Sequence, residues 1–279
     1  MRFDQRFPIE DAEDGQRRER RQQVRALFLS DVHLGTRASK SEKLYDFLRH
    51  HEADTIYLVG DIVDGWRLRA RWHWPQAHSD VIGELFAAAA RGSRIVYLPG
   101  NHDAFLRDYP GIHFAGVEVA DTAIHIAADG RRYVVTHGDH LDRAAQVPHR
   151  IAAIGGRLNA ALFALSDYWN SVRLAVGLSG WSFSQWARRR VKDSIDYLGQ
   201  FERDIVELAA THRADGVICG HVHQPAIHDR QGVRYINCGD WLESCTAAVE
   251  RHDGIFEIRS WPVAGATQAR PRLGSLQEA

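Results

Sequence analysis

Several easy assignments are closed to this chain by what it lacks. Acidic and basic residues nearly cancel, 36 Asp and Glu against 35 Lys and Arg, leaving a formal charge of -1. Polyanion binders usually carry a basic excess, so nucleic acid is not expected as a partner, and any anionic ligand must be met locally. No run reaches the roughly 18 uninterrupted apolar residues of a membrane-spanning helix. Residues 1–25 are dominated by Arg, Gln, Asp and Glu instead of the apolar core of a signal peptide, so a cytoplasmic protein is expected, held at most on the inner face of the cell membrane. The three cysteines, Cys219, Cys238 and Cys245, are too few and too odd for a disulfide framework and are read as small buried side chains. Internal repeats and low-complexity tracts are missing as well.

What remains is substantial: 279 residues, 44% hydrophobic, enough for one large domain carrying an insertion. From Val24 onward, short apolar runs end in Gly, Asp, His or Asn. Ala26–Leu29, Ile56–Val59, Ile95–Leu98 and Tyr133–Val135 read as buried strands with a polar residue at the carboxyl end. Leu44, Phe47 and Leu48 have helical spacing, as does the stretch from Val81 to Ala90. Strand and helix alternate, the pattern of an α/β fold. Residues 144–212 lack strand signals and concentrate Ala, Leu and aromatics (Tyr168, Trp169, Trp181, Phe183, Trp186), which predicts a helical insertion. Strands resume at Gly216–Cys219, Val233–Ile236 and Ile255–Ile258. The expected division is a flexible charged tail over 1–23, a core over 24–143 and 213–262, the insertion over 144–212, and a tail over 263–279.

Five clusters stand at strand ends: Asp31-Val-His33, Gly60-Asp61-Ile-Val-Asp64, Gly100-Asn101-His102-Asp103, His137-Gly138-Asp139 and Gly220-His221-Val-His223. Each alone is an ordinary turn or cap. Strand ends of α/β sheets, however, converge on one crevice, so together these groups predict a single site. Carboxylate, imidazole and amide donors without thiolate suit Mn²⁺, Fe²⁺ or Zn²⁺ with open positions, as in catalysis, and argue against a closed structural zinc. The Asp31-x-His33 and His221-x-His223 spacing predicts that each pair lies on one side of an extended strand.

These motifs, D-x-H, G-D-x-x-D, G-N-H-[DE], H and G-H-x-H, resemble in full those of the calcineurin-like metallophosphoesterases, over roughly residues 25 to 260. The resemblance implies a four-layer α-β-β-α sandwich and two divalent cations, Mn²⁺ first among the candidates. It implies that Asp31, His33, Asp61 and His223 bind one ion while Asp61, Asn101, His137 and His221 bind the other, with a water activated between them as nucleophile. It also implies that His102 is not a ligand but faces the scissile phosphate, with Asp64 orienting its ring.

Within that family the chain resembles the UDP-diacylglucosamine pyrophosphohydrolases of lipid A synthesis. The likeness rests on Leu29-Ser30-Asp31-Val32-His33-Leu34-Gly35, on His137-Gly138-Asp139 followed by Asp142, on the insertion, and on Tyr235-Ile236-Asn237-Cys238-Gly239-Asp240-Trp241. It implies an amphiphilic nucleotide-lipid substrate under a helical lid. Better-known members have Arg where this chain has His102, which marks a divergent branch. Asn101, Trp181, Trp186 and Arg189 are the expected substrate contacts: aromatics for acyl chains, a basic rim (Arg188, Arg189, Arg190, Lys192) for an anionic headgroup or membrane surface. No obligate protein partner is indicated. The lipid-phosphate and small-molecule phosphomonoesterases and phosphodiesterases of the same fold are the main alternative. A nuclease lacks its basic stripe here, a Ser/Thr phosphatase lacks the Arg-Gly that would follow the second cluster, and a non-catalytic scaffold would have lost ligands.

Overall fold

The computed structural model describes residues 21–114, 116–141 and 199–261. The first strand, β1 (Gln22–Leu29), is followed by α1 (Ser41–His50), β2 (His51–Val59), α2 (Gly65–Ala70), α3 (Gln76–Ala90) and β3 (Arg94–Leu98). Short strands β4 (His113–Phe114), β5 (Val117–Val119) and β6 (Ala123–Ile126) lead to β7 (Arg132–Val135). After α4, helical over 199–211, come β8 (Gly216–Cys219), β9 (Ala226–Arg230), β10 (Val233–Asn237), β11 (Thr246–Glu250) and β12 (Phe256–Ser260).

The strands form a seven-stranded sheet ordered β12-β11-β1-β2-β3-β5-β4 and a five-stranded sheet ordered β6-β7-β8-β10-β9. Continuous apolar runs make sense here because both faces of the central strands are covered. In β1, Leu27 and Leu29 face the helix layer while Ala26 and Phe28 face the other sheet. Ile56 and Leu58 alternate with Tyr57 and Val59 in β2 in the same way. Leu44, Phe47 and Leu48 of α1 and Val81, Leu85 and Ala88 of α3 cover the outer face of the large sheet. Tyr133, Val135, Ile218 and Ile236 of the small sheet meet Phe28 and Tyr57 between the sheets, and its outer face is covered by Phe201, Ile205 and Ala209 of α4. Their i, i+4, i+8 spacing is one helix stripe, and each large apolar side chain so buried contributes about 1.5–3 kcal/mol. The result is the expected α-β-β-α sandwich, with the last part of the 144–212 stretch supplying its fourth layer.

Differences are local. β1 begins at Gln22, and Arg21 pairs with Glu84 at 3.0 Å, so structure starts slightly before Val24. The fully buried β11, Thr-Ala-Ala-Val-Glu, escaped the sequence reading because alanine has poor strand propensity; small residues are needed where Ala248 meets the opposing sheet. The cysteines are free and buried. Among the described residues no helix is long and apolar enough to cross a membrane.

β1, β2 and β3 are mutually parallel in one sheet, as are β7 and β8 in the other. Their carboxyl ends, carrying the five clusters, therefore open toward one side of the sandwich.

Candidate metal centre

Asp31-x-His33 and His221-x-His223 do not lie on extended strands, contrary to what their spacing predicts. β1 ends at Leu29 and β8 at Cys219, and the ligand candidates lie in the loops beyond, in left-handed backbone: φ is 53° at Asp31, 50° at His33, 55° at Asp61, 68° at His221 and 55° at His223. Such a conformation costs a non-glycine residue on the order of 1–3 kcal/mol and persists where surrounding structure imposes it. Here the loops are laced together. Asp31 N–H donates to the Gly60 carbonyl at 3.1 Å, His33 N–H to that of Asp61 at 2.9 Å, and Trp241 N–H to that of Asp31 at 3.0 Å. Two glycines permit the approach: a Cβ on Gly60, itself at φ 78°, would collide with the His137 ring, and one on Gly220 with Ser30 Oγ and the Asp31 carboxylate.

Asp61 Oδ2 is the hub. It lies 3.4 Å from His137 Nε2, 3.8 Å from His33 Nε2 and 3.9 Å from His102 Nε2. Asp31 Oδ1 lies 3.0 Å from His223 Nε2 and 3.9 Å from His33 Nε2. Three groups have all their donor atoms within 4.8 Å: Asp31, His33 and His223; His33, Asp61 and His102; Asp31, Asp61 and His137. Asn101 and His221 line the same cleft, and the His221 ring centroid is 5.2 Å from that of His137.

The outer atoms of these side chains are held so that the inner ones stay open. Asp31 Oδ2 accepts from Ser30 Oγ (2.6 Å) and His221 N–H (2.9 Å); Asp61 Oδ1 accepts from His102 N–H (2.8 Å). His137 Nδ1 is 2.9 Å from the Val59 carbonyl, which makes it the donor nitrogen and leaves Nε2 a lone pair when the ring is neutral. Asp31 Oδ1, His33 Nε2, Asn101 Oδ1 and His137 Nε2 are buried without a well-aligned hydrogen bond, although His223 Nε2 stands 3.0 Å from the first and Asp61 Oδ2 3.4 Å from the last. Unsatisfied buried polar atoms cost about 1–3 kcal/mol each, so their convergence fits a divalent cation, and the oxygen and nitrogen donor set agrees.

Charge follows the same logic. Burial works to raise the Asp61 carboxyl, but His137, His102 and His33 around it hold it well below the usual range. Burial works against the His137 imidazolium, yet Asp61 and Asp31 lift it to about 10. His223 is raised by Asp31 against the effect of burial. Without metal, protons carried on the imidazoles thus balance the ionised carboxylates, and cations displace those protons on binding.

His102 lies at the mouth, its ring 4.0 Å from that of Trp66. Its Nδ1 is 3.0 Å from Asp64 Oδ2, somewhat off the axis of an ideal hydrogen bond. Asp64 also lies 3.4 Å from His33 Nδ1 and caps α2 by accepting from Arg67 N–H at 2.8 Å. It is both turn residue and imidazole partner, and those contacts hold its carboxyl low despite burial.

Asp103, the last residue of the third cluster, is a brace. Fully buried, it accepts from the N–H groups of Gly100 (2.6 Å), Asp61 (3.3 Å), Ile62 (2.8 Å) and Val63 (3.3 Å) and from Tyr97 OH (2.5 Å). It thereby fastens the loop after β2 to the loop after β3. Asp103→Ala would strand these donors at about 1–3 kcal/mol apiece, less whatever relaxation recovers. Urea unfolding should show a loss of about 3 kcal/mol or more together with weaker metal uptake, and an unchanged midpoint would refute this bracing role.

Two further braces were hidden in the sequence. Arg107 donates to both Asp139 oxygens, at 2.8 and 2.9 Å, and to the Pro99 carbonyl at 2.9 Å. Asn237 donates to the Gly220 carbonyl at 2.7 Å and accepts from Gly239 N–H at 3.0 Å, a reason for Asn in the Tyr235–Trp241 motif. Trp181, Trp186 and Arg189 lie outside the described residues.

A four-layer sandwich whose parallel strands deliver carboxylates and imidazoles to one cleft defines a metal-dependent phosphoesterase. The calcineurin-like phosphoesterase family model matches residues 24–225, and the chain belongs to that family, whose members normally bind divalent metals. It is similar to a UDP-2,3-diacylglucosamine hydrolase of Porphyromonas gingivalis, 28% identical over 80% of this chain and 92% of the relative. A UDP-2,3-diacylglucosamine hydrolase of Xanthomonas campestris is 27% identical over 82% of this chain and 96% of its own. Among solved structures, the Yfce phosphoesterase from E. coli overlaps 85% of this chain and 99% of its own at 14% identity and a TM-score of 0.39.

Proposed function

We propose that this chain hydrolyses the pyrophosphate bond of an amphiphilic nucleotide-sugar lipid of the UDP-2,3-diacylglucosamine type, with two divalent cations, Mn²⁺ first among them. The observation that carries the reading is the set of buried donor atoms that converge around Asp61 without well-aligned hydrogen bonds. The names of the relatives carry the choice of substrate.

Asp31, His33, Asp61 and His223 would hold one ion, and Asp61, Asn101, His137 and His221 the other. Such a pair supplies charge neutralisation at the phosphoryl group and a water acidic enough to react near neutral pH. Asp31 and Asp61 keep their carboxylates ionised to receive the cations. His102, its Nδ1 turned to Asp64, presents Nε2 to the cleft and gives its proton to the departing oxygen. Burial within the strand-end loops limits water around these groups.

The helical insertion over 144–212, with Trp181, Trp186 and Arg189, would hold the acyl chains and headgroup, and the protein would work on the inner face of the cell membrane. The test is a comparison of kcat/KM in Mn²⁺ for UDP-2,3-diacylglucosamine in mixed micelles, a simple aryl diester and an aryl monoester. The nucleotide lipid should be preferred by at least about 100-fold, the tenfold steps of roughly 1.4 kcal/mol each being within reach of pocket contacts. Comparable rates on the monoester would favour a small-molecule phosphomonoesterase.

A further inference from the structure

The cleft over the metal centre has a volume of about 710 Å³, and one wall of it is not explained by metal binding. That wall carries Arg37, Arg67, Arg71 and Trp72. Arg67 and Arg71 stand one helical turn apart and so share a face of the chain at and just beyond α2. Among the described residues none of these three guanidiniums has a carboxylate partner, whereas Arg21, Arg25, Arg91, Arg94 and Arg107 each hold one. Among the described residues Trp72 is the most exposed large hydrophobic side chain, at 73%.

An indole left in water is usually a fluctuating side chain, but this one is braced. It stacks on Trp74, ring centroids 6.0 Å apart and 28° between planes. Trp74 is fixed in turn by Nε1–H donating to Ser79 Oγ at 3.0 Å and by an edge contact of 5.2 Å with His78. His78 Nδ1 accepts from Gly35 N–H at 3.2 Å, in the loop that carries His33. The platform is therefore tied to the metal-bearing loop, at a set distance from it.

We propose that this lip is the seat of the nucleotide half of the substrate, an inference that rests on the function proposed above and names the residues for one end of that substrate. A planar base stacks on Trp72, as bases do on exposed aromatic rings. The guanidiniums of Arg37, Arg67 and Arg71 take the phosphate that the metal centre does not hold, through the forked geometry that suits phosphate oxygens. Acyl chains are poorly served here, since three cations border the wall; they belong elsewhere in the cleft. Phosphomonoesters would gain little from the lip, so it discriminates for diphosphates that carry an aromatic half.

The experiment is isothermal titration of the full-length, Mn²⁺-loaded chain with the non-hydrolysable α,β-methylene analogue of UDP, and with inorganic phosphate as the control for the metals alone. Trp72→Ala should weaken the analogue at least about fivefold and leave phosphate unchanged, while Trp72→Phe retains most of the affinity. The double variant Arg67→Gln and Arg71→Gln should also weaken the analogue more than phosphate. Near wild-type thermal melting is expected for all, because the altered side chains are exposed. Equal affinity of wild type and Trp72→Ala for the analogue overturns the proposal, as does an analogue that binds no tighter than phosphate. The two readings fail separately: turnover of the lipid substrate with no effect of Trp72 removes the lip alone, and lip-dependent binding without such turnover removes the substrate alone.

Discussion

Asp61→Ala is expected to abolish turnover by removing the metals, not by slowing chemistry at an intact centre. Oδ2 of this residue faces three imidazole nitrogens at 3.4 to 3.9 Å, a position from which one carboxylate oxygen can serve both ions. Loss of the carboxylate also leaves the His137 ring, wholly buried, without its nearest counter-charge. Metal analysis after gel filtration should find at most one weakly held ion per chain, with activity at background. Asp61→Asn is the sharper control: its carbonyl can still accept from the His102 N–H, so the loops stay in place while the anion is gone. Full metal content in either variant would remove Asp61 from the centre.

His102→Ala should behave in the opposite way, keeping its metals while losing about 100- to 10,000-fold in kcat, the usual contribution of a positioned proton donor. The imidazole stands 3.9 Å from Asp61 Oδ2 and could in geometry be a ligand itself; metal loss in this variant would make it one. The pH profile separates the roles further. Against the effect of burial, Asp64 and Asp61 raise the His102 pKa. A raised pKa keeps the ring protonated to higher pH, and activity that needs that proton falls as pH climbs through it. Asp64→Asn removes a raising partner, so the alkaline limb should move to lower pH. An unmoved limb would mean that the proton comes from another group.

Much of this was legible in the chain itself. Runs such as Ile56–Val59 and Ile95–Leu98 are short, β-branched and bounded by turn residues, which suits strands of a doubly covered sheet, and the polar residue after each run marks the crevice. The strand Thr246–Glu250 was not legible, since its alanines answer to the opposing sheet instead of to local propensity. Nor was the left-handed backbone at Asp31, His33, Asp61, His221 and His223: motif spacing looks the same for an extended strand and for a strained loop, and the hydrogen bonds that impose the strain come from residues up to 210 positions away, as from Trp241 to Asp31. Asp103 was in view as the last letter of a motif, but its role depends on backbone donors gathered by folding. For the cleft wall a signal did exist, the three Arg and three Trp gathered between Trp66 and Trp74 directly after the second cluster.

The most direct measurement of the central claim is anomalous diffraction at the manganese edge from crystals grown with Mn²⁺. Two peaks are predicted about 3.5–4 Å apart, with the Asp61 carboxylate within ligand distance of both, Asp31, His33 and His223 around the first, and Asn101, His137 and His221 around the second. A single peak, or two peaks that do not share Asp61, would contradict it.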